Sequence, residues 1–306
     1  MRFRKYSRKH AFNILYQWDI TGENPETLAA NYWDNLNKTY SLALKLAEDL
    51  EKKIGEGDFD AEVYAKKFEN YSEEEIIADK LRKLTYAVFV LLKQVEEFHN
   101  FVLTYTEWLS ERNRKRKLKA FETLAEIKRN LNRLAEGDRE HAGLIKPLVE
   151  FVEEIEKSHP ENFEELKALE GRFKTLVAEA VKRYLEEIKE FASKRLTEDM
   201  GQIREYADRL VKTYKENKVE IDSTIEEFLK DWTLDNLGSI ERNLLRLGTA
   251  EFVFVGVQDP GRAFNDYIDF AKSYVGKKAA KFVNGVLSAI YNKKAKKVEN
   301  ENAQNS

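Results

Sequence analysis

Apolar residues return at three- and four-residue intervals through most of this chain, and that period commits it to helices. Ala11, Ile14, Leu15 and Trp18 share one face of a helix expected from about Arg4 to Ile20. Val283, Val286, Leu287 and Ile290 do the same near the other end. Little interrupts the pattern: 306 residues include only 4 Pro and 13 Gly, and 35% are charged. Such a mixture suits long, solvated, amphipathic helices. No useful stretch alternates with period two, apart from the ambiguous Phe252-Val-Phe-Val255. The expected fold class is therefore all-α.

Start signals place individual helices. Asn24-Pro25 and Asp259-Pro260 each pair an N-cap with Pro at the first helical position. The first opens a helix carrying Leu28, Tyr32 and Leu36; the second opens one with Phe264, Ile268, Ala271 and Val275 on a stripe. Ile240, Leu244, Leu247 and Phe254 line another helix after the Gly238 break. In the middle, Ser72-Glu-Glu-Glu75 reads as a capping box. The helix expected behind it buries Ile76, Leu81, Leu84, Val88, Leu91, Val95 and Phe98. Further helices are expected over 114–135, 138–157 and 161–199, broken near Gly137 and Ser158-His-Pro160. Amphipathic helices must bury their stripes, so a bundle of four to six helices is expected in this middle region.

Composition excludes several classes. With net charge −3, any nucleic-acid site must be a local patch. Cys is absent, which removes disulfides and thiolate metal sites and fits a reducing compartment. The 4 His residues, His10, His99, His141 and His159, show no metal-ligand spacing. Gly55-Glu-Gly57 lacks the Lys-Ser/Thr of a phosphate loop. Neither catalysis nor a cofactor is expected. Arg8, Lys9, His10, Asn13, Gln17 and Asp19 leave no apolar signal-peptide core, and Ala87-Val-Phe-Val-Leu-Leu92 is too short to span a bilayer. The expectation is a soluble, cytoplasmic protein with no membrane partner.

Two basic clusters stand out. Arg2, Arg4, Lys5, Arg8 and Lys9 precede the first acid, Asp19, with Phe3 and Tyr6 among them. Cations neutralise phosphates and aromatic rings stack on unpaired bases. On composition alone, a solvated, frayed terminus is the plainer reading. The second cluster, Arg112-Asn-Arg-Lys-Arg-Lys-Leu-Lys119, holds six basic residues in eight. It reads first as a charged helix junction in solvent, and otherwise as an RNA or acidic-protein surface.

Three motifs follow in order near the C-terminus: Leu237-Gly-Ser-Ile-Glu-Arg-Asn-Leu-Leu-Arg-Leu247, Asp259-Pro-Gly-Arg262 and Lys281-Phe-Val-Asn-Gly-Val-Leu287. With Arg2-Phe-Arg-Lys-Tyr-Ser-Arg-Lys-His10 and Ile14-Leu-Tyr-Gln-Trp18, they resemble the bacterial transcription antitermination family NusB. The resemblance covers roughly 1–36 and 203–292. It implies a NusB-like helical fold of two small bundles, built from 1–39 and 201–293. That fold would be interrupted by an inserted helical domain, 40–200, and followed by a disordered tail, 294–306. The family's third helix has two candidate starts, Ile203–Leu210 and Tyr40–Leu46.

The resemblance also implies a function. The chain would bind single-stranded boxA RNA of ribosomal RNA leader transcripts, together with NusE, the small-subunit ribosomal protein in its transcriptional role. Both would join an RNA polymerase antitermination complex. Arg2, Arg4, Lys5, Arg8, Lys9, Lys281, Phe282 and Asn284 are then RNA-binding, and Tyr16 and Glu241 contact the partner. Without the resemblance, Phe282 reads as core, Tyr16 as half-buried packing and Glu241 as helix first-turn acidity. A homodimer that masks the RNA surface is also compatible with the family. A second function class is an interaction scaffold in which the insert dominates and the NusB-like part anchors RNA. A third, ribosomal RNA cytosine methyltransferase, needs a nucleophilic Cys that this sequence lacks.

Overall fold

The structure, a computed structural model, describes residues 3–73, 78–230 and 232–295. All regular structure among them is helical. In chain order the helices are α1 (Arg4–Thr21), α2 (Pro25–Glu56), α3 (Ala61–Ser72), α4 (Asp79–Glu111), α5 (Arg114–Gly137), α6 (Ala142–Ser158) and α7 (Phe163–Lys194). Then come α8 (Met200–Glu216), α9 (Lys218–Glu226), α10 (Ser239–Thr249), α11 (Pro260–Tyr274) and α12 (Lys277–Ile290). Wider π-type turns, Arg195–Asp199, Ala250–Val255 and Tyr291–Ala295, follow α7, α10 and α12. No described helix is long and apolar enough to cross a membrane. Two compact units result: Met1–Asn35 with Thr197–Ser306, and Leu36–Leu196. Of the expected tail 294–306, Lys294 and Ala295 belong to the last π turn, while residues 296–306, like the arm residue Arg2, lie outside the described residues.

Local start signals act as their chemistry requires. The Asn24 side chain accepts from the backbone N–H of Glu26 and Thr27, and Asp259 accepts from Arg262, with Pro next in both cases. Ser72 does not start a helix. It ends α3, its hydroxyl donating back to the Glu69 carbonyl, and α4 begins at Asp79; Glu74, Glu75 and Ile76 lie outside the described residues. In α11 the buried stripe is Ala263, Tyr267, Phe270 and Ala271, while Phe264 and Ile268 are half-buried and Val275 is exposed. Phe252–Val255 belongs to a π turn, so its alternation carries no strand.

In the second unit α4 lies against α3, α5 and α7, and α6 packs on both α5 and α7. Leu81, Leu84, Val88, Leu91 and Phe98 of α4 are buried as expected, with Val95 half-buried. Phe98 stacks on Phe173 of α7 with centroids 4.3 Å apart, and Phe151 of α6 closes the cluster. At one end His141 bridges two carboxylates, Asp138 at 2.9 Å and Glu187 at 2.6 Å. Tyr184 donates to the same Asp138. Burial opposes a charge on the His141 ring. The hydrogen bonds to Glu187 and Asp138 outweigh it and raise its pKa above the ordinary value.

The first unit is held by polar groups as well as by its apolar core. α1 packs on α8, α10 and α11, and α12 packs on α10 and α11. Gly248 permits a close approach of α10 and α12: a Cβ there would lie 2.7 Å from Leu287. At the centre sits Glu251, 0% exposed, in the π turn after α10. Arg8 of α1 donates to it through Nε (2.8 Å) and Nη2 (2.7 Å). Tyr206 of α8 and Tyr267 of α11 each donate at 2.6 Å. Arg8 Nη1 also reaches Asp266 at 2.7 Å. A second cluster joins Asp19, at the end of α1, to Arg242 (2.6 Å), Asn243 (3.0 Å) and Arg246 (2.7 Å) of α10. Arg246 continues to Asp222 of α9 at 2.9 Å.

These buried groups set two measurable outcomes. Glu251→Ala leaves Arg8 with Asp266 alone and strands two tyrosine hydroxyls, so chemical denaturation should show a loss of about 2–5 kcal/mol. A loss under about 0.5 kcal/mol, typical of a surface site, would refute the clamp. For His141 the folded pKa is raised, so its stabilisation is complete below about pH 6.5 and is lost as pH rises through the folded value. Amide exchange in α6 and α7 should therefore accelerate with rising pH beyond its intrinsic chemistry. His141→Asn should remove that extra dependence, and a persistent effect in the variant would assign it elsewhere.

Candidate nucleic-acid interface

α1, α8 and α11 enclose a cleft of about 780 Å³ in the first unit. Arg4 and Lys5 enter from α1, Tyr206 and Arg209 from α8, and Arg262 and Asn265 from α11. The loop 255–259 forms the remaining wall, with Gln258 in it and Gly256 in the left-handed region (φ 80). That glycine lets the chain leave the π turn and reach the Asp259 cap. A smaller groove of about 390 Å³ shares Arg4, Tyr206 and Arg209 and adds Gln202 and Ser7.

The cleft is positive, with Arg4, Lys5, Arg8, Arg209 and Arg262 against the carboxylates Asp259 and Asp266. The Arg4 guanidinium lies 3.4 Å from the centroid of the Tyr206 ring. That ring is fixed from behind, because its hydroxyl donates to Glu251. A cation on an aromatic face keeps its N–H groups available to a further acceptor. Arg209 is exposed and has no ion pair among the described residues. Arg262 is 74% exposed in its side chain and touches Asp259 at 3.1 Å. Lys5 reaches Asp269 at 2.8 Å and Asp266 at 3.9 Å; the Asp269 hydrogen bond raises its pKa and keeps it cationic.

The arm expected from the sequence divides. Arg4 and Lys5 face the cleft, but Arg8 is 4% exposed and spends its donors on Glu251 and Asp266. Arg8 is thus removed from the expected phosphate contacts: it lines the back of the cleft as a structural clamp. Burial works against its charge, and its carboxylate partners hold the guanidinium cationic all the same. Burial also raises the Asp266 pKa. Lys9 is half-buried on α1 and does not line the cleft.

On α12, Lys281, Phe282 and Asn284 are exposed, and none of them lines the cleft. Phe282 is 37% exposed, at the edge of the buried Val283–Val286–Leu287 stripe, so it is not a core residue. Asn284 accepts from Ser288 at 3.3 Å. Tyr16 is half-buried, its ring 5.9 Å from Phe12. Glu241 is half-buried in the first turn of α10, its carboxylate folded over Gly238. The two lie on packed helices: Asp19, one turn beyond Tyr16, receives Arg242, the neighbour of Glu241.

Arg209, Gln258, Arg262 and Asn265 were not singled out from the sequence. Arg262 stands in the Asp259-Pro-Gly-Arg262 motif, which signalled a helix start and hid a cation behind it. Arg209 offered only a polar position on an amphipathic helix.

A model of the NusB family matches residues 166–292. The match begins within α7, ahead of the first unit's second segment at Thr197. The transcription antitermination protein NusB of Aquifex aeolicus is 56% identical over 87 residues, 28% of this chain and 59% of that protein. NusB of Persephonella marina is 42% identical over 93 residues, 30% of this chain and 66% of that protein. The chain thus spans 59% and 66% of these two relatives, under two thirds of each. The solution structure of Aquifex aeolicus NusB shares 48% identity, covering 35% of this chain and 70% of that one, with a TM-score of 0.28. A crystal structure of antitermination factors NusB and NusE in complex with dsRNA shares 45% identity, covering 37% and 80%, with a TM-score of 0.29.

Because Phe282 is 37% exposed, Phe282→Ala should cost only about 1–2 kcal/mol of unfolding free energy. A core phenylalanine would lose about 3–5 kcal/mol. A loss of that size in denaturant titration would put the ring back in the core and end its candidacy as a stacking surface.

Proposed function

We propose that this chain, which carries a NusB-family domain in residues 166–292, is a transcription antitermination factor that binds RNA without turning it over. The observation that carries the reading is the positive cleft of α1, α8 and α11, in which Arg4, Arg209 and Arg262 present donors beside the Tyr206 ring. Phosphates neutralised by such side chains release counterions, which supplies affinity without base recognition. Exposed Phe282, with Lys281 and Asn284, offers a separate place for an unpaired base. The RNA proposed is the single-stranded boxA element of ribosomal RNA leaders. Relatives named for transcription antitermination support a nascent transcript as the ligand, and strandedness is part of the test.

NusE is the proposed protein partner, at the surface of α1 and α10 that holds Tyr16 and Glu241. Two modest contacts on one transcript become effective together, because tethering raises local concentration. Together they would hold a modified elongation complex. Residues 40–200 are proposed as an insertion that folds around its own core, consistent with the stack of Phe98, Phe151 and Phe173.

Arg4→Ala with Arg209→Ala and Arg262→Ala should weaken binding of boxA-like RNA at low salt. It should reduce the log–log salt slope by about 0.7 for each phosphate of the single strand that is no longer neutralised. Titrations of single- and double-stranded forms across salt check this, and an unchanged slope removes the cleft from the mechanism. Glu241→Lys should weaken NusE binding and spare RNA binding, since charge reversal penalises a complementary interface. Equal loss of both would place the residue in a shared site or in folding.

A further inference from the structure

The run Arg112–Lys119 takes no part in the cleft and lies within the second unit. α4 ends at Glu111, Arg112 turns the chain in the left-handed region (φ 55), and α5 starts at Arg114. Helix N-termini carry partial positive charge and favour acids. The first turn of α5 instead holds Arg114, Lys115 and Arg116, and no acid. Arg116 is compensated by Glu107 and by Glu111, the latter at 3.1 Å. Among the described residues Arg112, Arg114, Lys115, Lys117 and Lys119 pair with no carboxylate.

Packing beneath the run adds a second observation. Lys117 and Arg112 lie over Trp108, at 4.5 and 5.3 Å from its centroid. The Tyr105 ring is 4.8 Å from Trp108, and its hydroxyl is buried with no hydrogen-bond partner. Burial first, and then the Glu165 carboxylate, raise the pKa of that hydroxyl, with Arg112 opposing them. The cations therefore lie over an aromatic layer, with no carboxylate paired to five of them, in a chain whose net charge is −3. Like charges are gathered where the helix dipole and their own neighbours oppose them, and a bound polyanion offsets that cost.

We propose that residues 108–121 form a second RNA-binding surface, which takes the phosphate backbone of a single strand. A protein partner needs a desolvated apolar centre. Leu118 is the large apolar side chain exposed here, while Trp108 is covered by two cations. Dense charge with little exposed apolar area fits a ligand bound by its phosphates, with little sequence preference. The surface is separate from the cleft and binds RNA whether or not the cleft does.

The test uses the full chain carrying Arg114→Gln, Lys115→Gln and Lys119→Gln, three exposed residues outside the ring stacks and ion pairs. The probe is polyuridylate longer than several sites of about 4–16 nucleotides. With three phosphates left unneutralised, the log–log salt slope should fall by about 2 and binding should weaken about tenfold or more at low salt. Melting should be unchanged or raised, since cations leave a helix N-terminus. The control removes equal charge from the same unit at exposed Lys66, Lys167 and Lys182, each to Gln, and should bind as the unaltered chain does. An unchanged slope in the patch variant, or an equal loss in the control, overturns the proposal. Salt-sensitive binding of polyglutamate, with RNA affinity intact, overturns it in favour of an acidic protein. The cleft variant run in parallel separates the two readings: loss there alone leaves the function standing and sinks the patch, and loss in the patch variant alone does the reverse.

Discussion

The first unit depends on one buried carboxylate. Glu251 has 0% exposure and accepts hydrogen bonds from Arg8, Tyr206 and Tyr267, which belong to three different helices. Taking a carboxylate and a guanidinium out of water costs several kcal/mol each, and only near-complete hydrogen bonding offsets it. Here the offset is assembled from long-range partners: Arg8 is 243 residues away in sequence. The π turn Ala250–Val255 gives Glu251 its place, because it widens the helix just where α10 ends. The same carboxylate that closes the core also arranges the cleft. Tyr206 carries Arg4 on its outer face while its hydroxyl is held inside. Arg8 fixes Asp266, next to the cleft residue Asn265.

The cluster around Asp19 does comparable work at the other end of α1. Burial pushes its carboxyl upward, but hydrogen bonds from Arg242, Asn243 and Arg246 hold its pKa below the ordinary value. The negative charge retained there ties α1 to α10 and, through Arg246 and Asp222, to α9. Tyr16 and Glu241 stand on the helices so joined. A rigid mutual placement of these two helices is what a protein-binding surface needs.

What the sequence disclosed follows the range of the forces involved. Caps are local, so Asn24-Pro25 and Asp259-Pro260 could be read directly. The α12 stripe needs only its own periodicity, and its four residues are buried. In α11 the expected stripe fails for a long-range reason. The helix turns Tyr267 and Asp266 inward to meet Glu251 and Arg8, which leaves Ile268 half-buried and Val275 exposed. Arg8 looked like one more cation in a basic arm, since nothing near it reveals a carboxylate so distant in sequence. Ser72 carried the pattern of a capping box, yet its hydroxyl bonds backward to Glu69 and closes α3. Arg209 and Arg262 joined the cleft only once α8 and α11 were placed around α1.

We propose that Arg8 shapes the cleft from inside, while Arg4 and its neighbours meet the RNA phosphates. Replacing Arg8 and Glu251 together removes both charges of that buried pair, and Asp266 keeps Lys5 at 3.9 Å as its remaining cation. Arg8→Met with Glu251→Gln keeps partners for Tyr206 and Tyr267, so the cleft retains its supports. The deciding measurement is the salt dependence of RNA affinity in that double variant. A slope equal to that of the unaltered chain is the predicted result. A slope lower by about 0.7, the signature of one single-strand phosphate going unneutralised, would instead make Arg8 a ligand of the RNA.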